Sequence, residues 1–532
     1  MKRICKNITA VAILITLLLG LLTGCGDTST KDSNQTATPK EVEQSDKAKN
    51  DVKPADQATG NKDTVTVALT DEPDYLSTCD TDSLMGAQMN LLTYNCLTRI
   101  DMETLQPVLD LASEYSQDSD TEWTFKLKQG VKFHNGEELK AEDVKASIAY
   151  AQGFDRTATY TSSISEVEVI DDYTVKLITT NPNPNLLYDL AYHFNGILPA
   201  SLIKDKNDFS ANPIGTGPYK LVSWNKGNTL EFEANVDYFD QDRMPKIKHL
   251  VFSIIPEGTT RTMALESGDV DMVYSVSSSD IDRLKGDDDI TVENIVSVEN
   301  FFLFLNAVNG DFTDSNLRLA VAYGINRDDI IAGALNGYGT PSYSCVSMGY
   351  AESVDTNAYS YDPEKAAEYL KIWGGDPSTV KLSIICSNDT KTSIATIIQA
   401  DLAKLGIDVE IQPTDSATYQ AAMATDTLSA AIVSWSPANA ATYVTRFHSD
   451  RHGNTPASVS SPEMDSLVEQ LRVEMDEAKR VELIHSIIAL ANGDCWFVPI
   501  YQVNYFRAHS KDLQNVVCSA TGYVDFSTMY WD

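Results

Sequence analysis

The chain has 532 residues, with 41 Lys and Arg against 76 Asp and Glu, for a net charge of −35. Such acidity argues against nucleic acid or anionic lipid as a partner of the folded surface, and it fits an exported, soluble chain. The length exceeds one ordinary core and predicts two or more lobes.

At the amino terminus Lys2, Arg3 and Lys6 precede an apolar run of 15 residues, Ile8 to Leu22. That is short of the roughly 20 residues a membrane span needs and fits the h-region of a signal peptide. Leu22-Thr23-Gly24-Cys25 resembles a bacterial lipobox, whose Cys becomes the diacylated first residue of the mature chain; an uncleaved signal anchor is the alternative. Removing residues 1–24 takes away three positive charges and no negative ones, leaving −38. Residues 26–62 are rich in Thr, Ser, Lys, Asp, Gln and Ala and carry almost no large apolar side chain. They bury too little to offset chain entropy, so a disordered tether is expected, with a mean reach of about 30–37 Å.

Further along, Thr64 to Leu69 alternates as a strand, and Asp71-Glu72-Pro73-Asp74 breaks it into a loop. Trp123, Phe125 and Leu127 alternate with Thr124, Lys126 and Lys128, the period of a strand with one buried face. Gly130 ends it, Asn135-Gly136 supplies a turn, and Val144, Ile148 and Ala151 recur at helical spacing. Ile214-Gly215-Thr216-Gly217-Pro218 uses glycines for tight backbone before a strand running through Trp224. Pro218 and that strand argue against a phosphate loop, which needs a helix N-terminus there. Leu265 to Val273 reads as helix end, Gly268 stop and strand. Phe301 to Leu305 is a continuous apolar strand covered on both faces. Asn316 to Leu335 is helical with a break near Gly324 to Arg327, and Arg318 is expected to be structural. Asp362-Pro363 and Ser461-Pro462 are capped helix starts. Ile394 to Leu405 is a helix stopped by Gly406, and Asp408 to Gln412 is a strand. This alternation predicts α/β lobes with open, mostly parallel sheets and a ligand in the crevice beyond their strand ends.

Residues 123–144, Trp-Thr-Phe-Lys-Leu-Lys-Gln-Gly-Val-Lys-Phe-His-Asn-Gly-Glu-Glu-Leu-Lys-Ala-Glu-Asp-Val, resemble the signature of the family 5 extracellular solute-binding proteins. The resemblance runs from about 63 to 532 and implies a two-lobed periplasmic-binding-protein-like α/β fold with a small inserted third domain. The implied divisions are 1–24 signal peptide, 25–62 lipidated Cys and tether, 63–105 and 199–275 first lobe, 106–198 inserted domain, 276–500 second lobe, and 501–532 a return to the first lobe. It further implies a lipid-anchored receptor on the outer face of a cytoplasmic membrane of Gram-positive type. Such a monomer captures oligopeptides between its lobes and hands them to the permease subunits of an ABC importer. A nickel chelate, an oligosaccharide, or a peptide signal sensed without transport are the alternatives.

In peptide-binding relatives an Asp three residues after a Trp grips the ligand's α-ammonium. The matching stretch here is Ser434-Trp435-Ser436-Pro437-Ala438, so Ala438 stands where that Asp would be. An ammonium buried without a partner costs several kcal/mol. Either another carboxylate substitutes, with Asp71 and Glu72 on the loop that faces the cleft in relatives as the candidates, or the ligand lacks that group. The aligned carboxylate anchor is also changed: Lys391-Thr392-Ser393-Ile394 contains no Arg, and Lys391 lacks a bidentate fork. Ser434, Trp435, Ser436 and Tyr501 are expected to line the cleft, with Trp435 as a flat apolar wall.

No cofactor and no catalysis are expected: Gly-x-Ser-x-Gly, HExxH and Walker sequences are absent. His134 is expected to make a structural contact and His485 to lie in a core. His448 and His452 have metal-binding spacing, but Asp450 and Gly453-Asn454 point to a loop without metal. Beyond Cys5 and Cys25, six Cys remain, allowing 15 pairings. At most one or two disulfides are expected, the other Cys serving as small apolar residues.

Overall fold

The computed structural model describes residues 63–532 apart from 82, 355–357, 424, 426, 438 and 452–460. Cys25, the tether, Ala438 and His452 lie outside the described residues. No helix among the described residues is long and apolar enough to cross a membrane.

The first strand, β1 (Thr64–Leu69), buries Val65, Val67 and Leu69 on one face and Ala68 on the other. Helix α1 (Leu84–Thr93) follows, capped by the Ser83 hydroxyl accepting from Gly86 N–H. Strands β2 (Ala112–Gln117), β3 (Glu122–Leu127), β4 (Ile164–Asp171) and β5 (Thr174–Thr179) form a separate antiparallel sheet, ordered β2-β3-β5-β4. Trp123, Phe125 and Leu127 of β3 share its core with Val144 and Ile148 of α2 (Ala141–Ala151). The chain then enters a large sheet through β6 (Tyr219–Asn225), β7 (Thr229–Ala234), β8 (His249–Ile254) and, after α3 (Gly258–Glu266), β9 (Met272–Val273). Next come the 16-residue strand β10 (Ile290–Leu305), helices α4 (Ser315–Gly324), α5 (Arg327–Ala334) and α6 (Pro363–Trp373), and β11 (Leu382–Cys386). Helix α7 (Asp389–Ala403) leads to β12 (Val409–Pro413) and β13 (Ala430–Trp435). Helices α8 (Ala440–Val444), α9 (Pro462–Val473) and α10 (Glu477–Asp494) precede the 14-residue strand β14 (Phe497–Ser510).

The large sheet runs β12-β11-β13-β10-β14-β9-β1-β8-β7-β6. It is mixed rather than mostly parallel, which corrects the expectation from strand–helix alternation. Only β1 with β8 and β9, and β11 with β12 and β13, pair in parallel. The reason is that β10 and β14 are long enough to pair antiparallel with each other along nearly their whole lengths, from Ile290↔Ser510 to Phe304↔Phe497. Antiparallel pairing of β14 with β9 then fuses two βαβ-type halves into one surface. The apolar run in β10 is covered on both sides: Leu303 and Leu305 pack with Leu317, Ile394 and Ile398, while Phe302 and Phe304 pack with Trp435, Tyr443 and Phe497.

Two glycines of the 214–218 segment let the chain touch the end of α1. A Cβ on Gly215 would sit 2.2 Å from the Thr93 carbonyl oxygen, and one on Gly217 would sit 2.3 Å from that of Leu92. His134 fastens the same segment to β3 and its turn. Its backbone N–H donates to the Gly215 carbonyl at 2.8 Å and its Nε2 to that of Gly217 at 3.0 Å. Burial lowers its pKa to about 4, so the imidazole stays neutral. Arg318 is structural: its guanidinium donates to the carbonyls of Phe312, Thr313, Asp494 and Cys495. Arg327, fully buried, does the same for Ala322, Ile325, Ser342, Tyr359 and Pro499. All six Cys among the described residues are free thiols, five of them buried; Cys386 and Cys495 pack in the cluster around Leu303 and Leu305, and Cys345 in that around Phe302 and Phe304.

Candidate ligand-binding site

A cleft of about 1020 Å³ is lined by the carboxyl end of β13 and the turn after it, by α1, and by residues from the 94–110 and 159–193 stretches. The end of β13 and the stretch after it supply Ser434, Trp435, Ser436 and Pro437, followed by Asn439, Thr442 and Arg446. The opposite side supplies Gln88, Arg99, Tyr160, Tyr188 and Tyr192. Glu299, Tyr505 and much of the 519–527 segment complete it.

Local structure explains each placement. Ser434 and Trp435 end β13, paired with Phe301 and Asn300 of β10. Trp435 is 8 % exposed, since its ring packs edge-on against Phe497 at 4.5 Å and Tyr443 at 5.9 Å. It is thus a core residue that presents one edge to the cleft, with the Arg446 guanidinium 5.4 Å from its ring centre. Ser436 is exposed, and the Tyr350 hydroxyl donates to the Pro437 carbonyl, pinning the turn from below. Asn439 caps α8 by accepting from Thr442 N–H at 2.7 Å. Across the cleft, Tyr160 and Tyr192 stack at 4.0 Å and 7°. The result is an aromatic surface suited to peptide side chains or other flat groups.

The remaining predicted residues lie elsewhere. The Glu72 carboxylate accepts from Trp224 Nε1 at 3.1 Å and Gly227 N–H at 2.9 Å, so it is committed to the β6–β7 hairpin. Asp71 is exposed and, like Glu72, does not line the cleft. The loop after β1 is drawn over that hairpin because Trp224 and Gly227 offer it two donors. Tyr501 is buried and stacks on Phe301 at 4.6 Å, opposite it in the ladder. It joins the core beneath α4 and α5, and its neighbour on the same strand, Tyr505, faces the cleft instead. Ala438 lies outside the described residues. The sequence reading missed Glu299, Arg446 and the tyrosines at 160, 188 and 192. A signal for them was present in the aromatic run Tyr188 to Phe194, which has no strict helical or strand period.

Four carboxylates line the cleft. Asp525 pairs with Arg243 at 3.2 Å. Asp110 is buried and accepts from Asn95 Nδ2 at 2.9 Å; burial raises its pKa against the opposing pull of Arg243. Asp189 accepts from Asn183 Nδ2 at 2.9 Å, and burial raises its pKa to about 7. Glu299 is half-buried, and its carboxylate accepts from the Tyr505 hydroxyl at 3.3 Å. Among the described residues no group of three or more His, Cys, Asp or Glu is placed to hold a metal ion. His448 instead faces Asp450 at 2.8 Å, which also pairs with Arg472.

Residues 106–455 match the model of the bacterial extracellular solute-binding proteins, family 5. The chain belongs to that family. It is 27 % identical over 426 residues to a probable D,D-dipeptide-binding periplasmic protein of Escherichia coli, covering 77 % of this chain and 81 % of that one. HbpA2 from Haemophilus parasuis superposes with a TM-score of 0.80 at 21 % identity, over 88 % of this chain and all of that one. The ABC transporter-associated periplasmic binding protein DppA from Helicobacter pylori, solved with the peptide STSA, gives 0.71 at 22 % identity, over 88 % and 98 %. As a family 5 solute-binding protein, the chain has the two-lobed periplasmic-binding-protein fold, and the solute-binding role follows from membership.

Proposed function

We propose that this solute-binding protein captures oligopeptides in the cleft and delivers them to the permease of an ABC importer. The observation that carries this reading is a cleft of about 1020 Å³ lined by stacked tyrosines, a Trp edge and half-buried polar groups. Peptides match that mixture, with side chains for the aromatic surfaces and an unpaired backbone for Ser434, Ser436 and Asn439. The name of the Escherichia coli relative and the peptide in the Helicobacter pylori structure support the same class. Ligand would bridge the lobes, and closure would exclude water and strengthen each hydrogen bond.

The divisions given above are proposed as the lobes and inserted domain. Diacylation of Cys25 is proposed as the anchor, with residues 26–62 as the tether. Cys25→Ala should then release the protein from membranes, and its retention there would remove the anchor. The function is tested by thermal melting of the ligand-free 63–532 chain against peptides, nickel chelates and oligosaccharides. A ligand at 100 times its Kd adds about 2.7 kcal/mol, read as a shift of a few degrees. A shift with chelates or sugars and none with peptides would overturn the peptide assignment.

A further inference from the structure

The four carboxylates lining the cleft differ in what already occupies them. Asp525 is held by Arg243, and its Oδ1 also accepts from Ser527 N–H and Oγ–H. Asp110 sits beneath the surface against Asn95 and the field of Arg243. Asp189 is half-buried and accepts from Asn183 Nδ2 at 2.9 Å. Glu299 is half-buried and makes no ion pair among the described residues, and its side-chain hydrogen bond is the long 3.3 Å contact from the Tyr505 hydroxyl, against 2.9 Å for Asp189 with Asn183. The Lys391 ammonium is near enough to feel its charge, but it lies over the Tyr419 ring at 4.3 Å and does not line the cleft.

The backbone accounts for this exposure. In the β10–β14 ladder Val296 pairs with Asn504 and Asn300 with Gln502. Three residues, Ser297, Val298 and Glu299, therefore oppose the single Val503. Val298 N–H leaves the ladder altogether and donates to Ala520 of the 519–527 segment at 3.0 Å. Such a bulge re-aims a side chain out of the pleat. Here it occurs beside Asn300, the ladder partner of Trp435, and so brings a carboxylate into the cleft that Ser434 to Pro437 also line.

We propose that Glu299, carried into the cleft by the β10 bulge, receives the ligand's α-ammonium, with the Tyr505 oxygen as a second acceptor. An ammonium has three donors and no acceptor, so a carboxylate plus a phenol oxygen satisfies two of them and leaves one for backbone or water. The cleft then selects peptides with a free amino terminus, by a residue on the strand adjacent to β13 rather than on the turn after it. This rests on the peptide-receptor reading.

The test is competitive capture from an equimolar mixture of random tri- to pentapeptides, half of them N-acetylated, quantified by mass spectrometry. A charge-assisted contact in a half-buried site predicts enrichment of free over acetylated peptides by about tenfold or more. Glu299→Gln keeps the shape and an acceptor for Tyr505 and should bring that ratio close to one, while Glu299→Asp should retain a preference. Equal capture of both pools by the unaltered protein, or an unchanged ratio in Glu299→Gln, would overturn the assignment and leave the receptor reading standing. Capture of neither pool would overturn the peptide reading itself.

Discussion

Replacing Asp189 by Asn should stabilise the ligand-free protein at pH 8 and leave it nearly unchanged at pH 4. Asp189 lies in the short helix Leu186–Ala191, accepts from Asn183 Nδ2, and has its pKa raised by burial from 3.8 to about 7. A raised acid contributes fully to stability below its unfolded value and loses that contribution as pH climbs through the folded one. Here the loss begins near pH 4 and is complete above pH 7. At 1.36 kcal/mol for each tenfold change in proton affinity, the limit is roughly 4 kcal/mol at pH 8 and below about 1 kcal/mol at pH 4. The side chain borders the cleft, and water there screens the charge, so about 2 kcal/mol is expected at pH 8. Asn retains an oxygen for Asn183, which isolates the ionisation from the hydrogen bond. Urea unfolding of both proteins at several pH values measures the difference. A gain that is the same at pH 4 and pH 8, or a loss at pH 8, would refute the argument.

Arg327→Met removes the partner of five buried carbonyls and should destabilise by about 3–5 kcal/mol, seen as a lowered urea midpoint. Gly217→Ala drives a Cβ within 2.3 Å of a backbone oxygen and should lower the melting temperature by the equivalent of about 1–3 kcal/mol or more. Trp435→Ala should weaken ligand binding but also destabilise by roughly 3–5 kcal/mol, because the ring is mostly core. Trp435→Phe separates the two, and unchanged affinity in that variant would remove Trp435 from the site. Titration of thiols in the denatured 63–532 chain without reductant should count six; a lower count would reveal a disulfide.

Much of the architecture was legible because local signals agreed with burial. The alternation in Glu122–Leu127, the Pro-started helices after Asp362 and Ser461, and the two-faced apolar run at Phe301 to Leu305 all formed as read. The glycines at 215 and 217 announced tight backbone, and the structure supplies the carbonyls that require it. What periodicity hid was pairing direction, since a continuous apolar strand reads alike in parallel and antiparallel neighbours. The candidate site was legible only along β13. Glu72 looked available as a bare carboxylate, and its commitment to Trp224 and Gly227 depends on a contact 152 residues away. Glu299 owes its place to a bulge, which leaves no periodic trace when the partner strand lies two hundred residues downstream.

The sheet also sets an order on how this molecule is made. Strand β14, near the end of the chain, sits between β10 and β9, and the Trp531 indole donates to the Thr64 carbonyl at 3.1 Å across 467 residues. The part of the sheet around β1 and β9 therefore depends on pairing with a strand more than two hundred residues downstream. Sequence-distant closure of this kind is slow. Pulling on β14 from either end should therefore unzip both halves of the sheet together, since among the described residues no other strand joins β10 to β9.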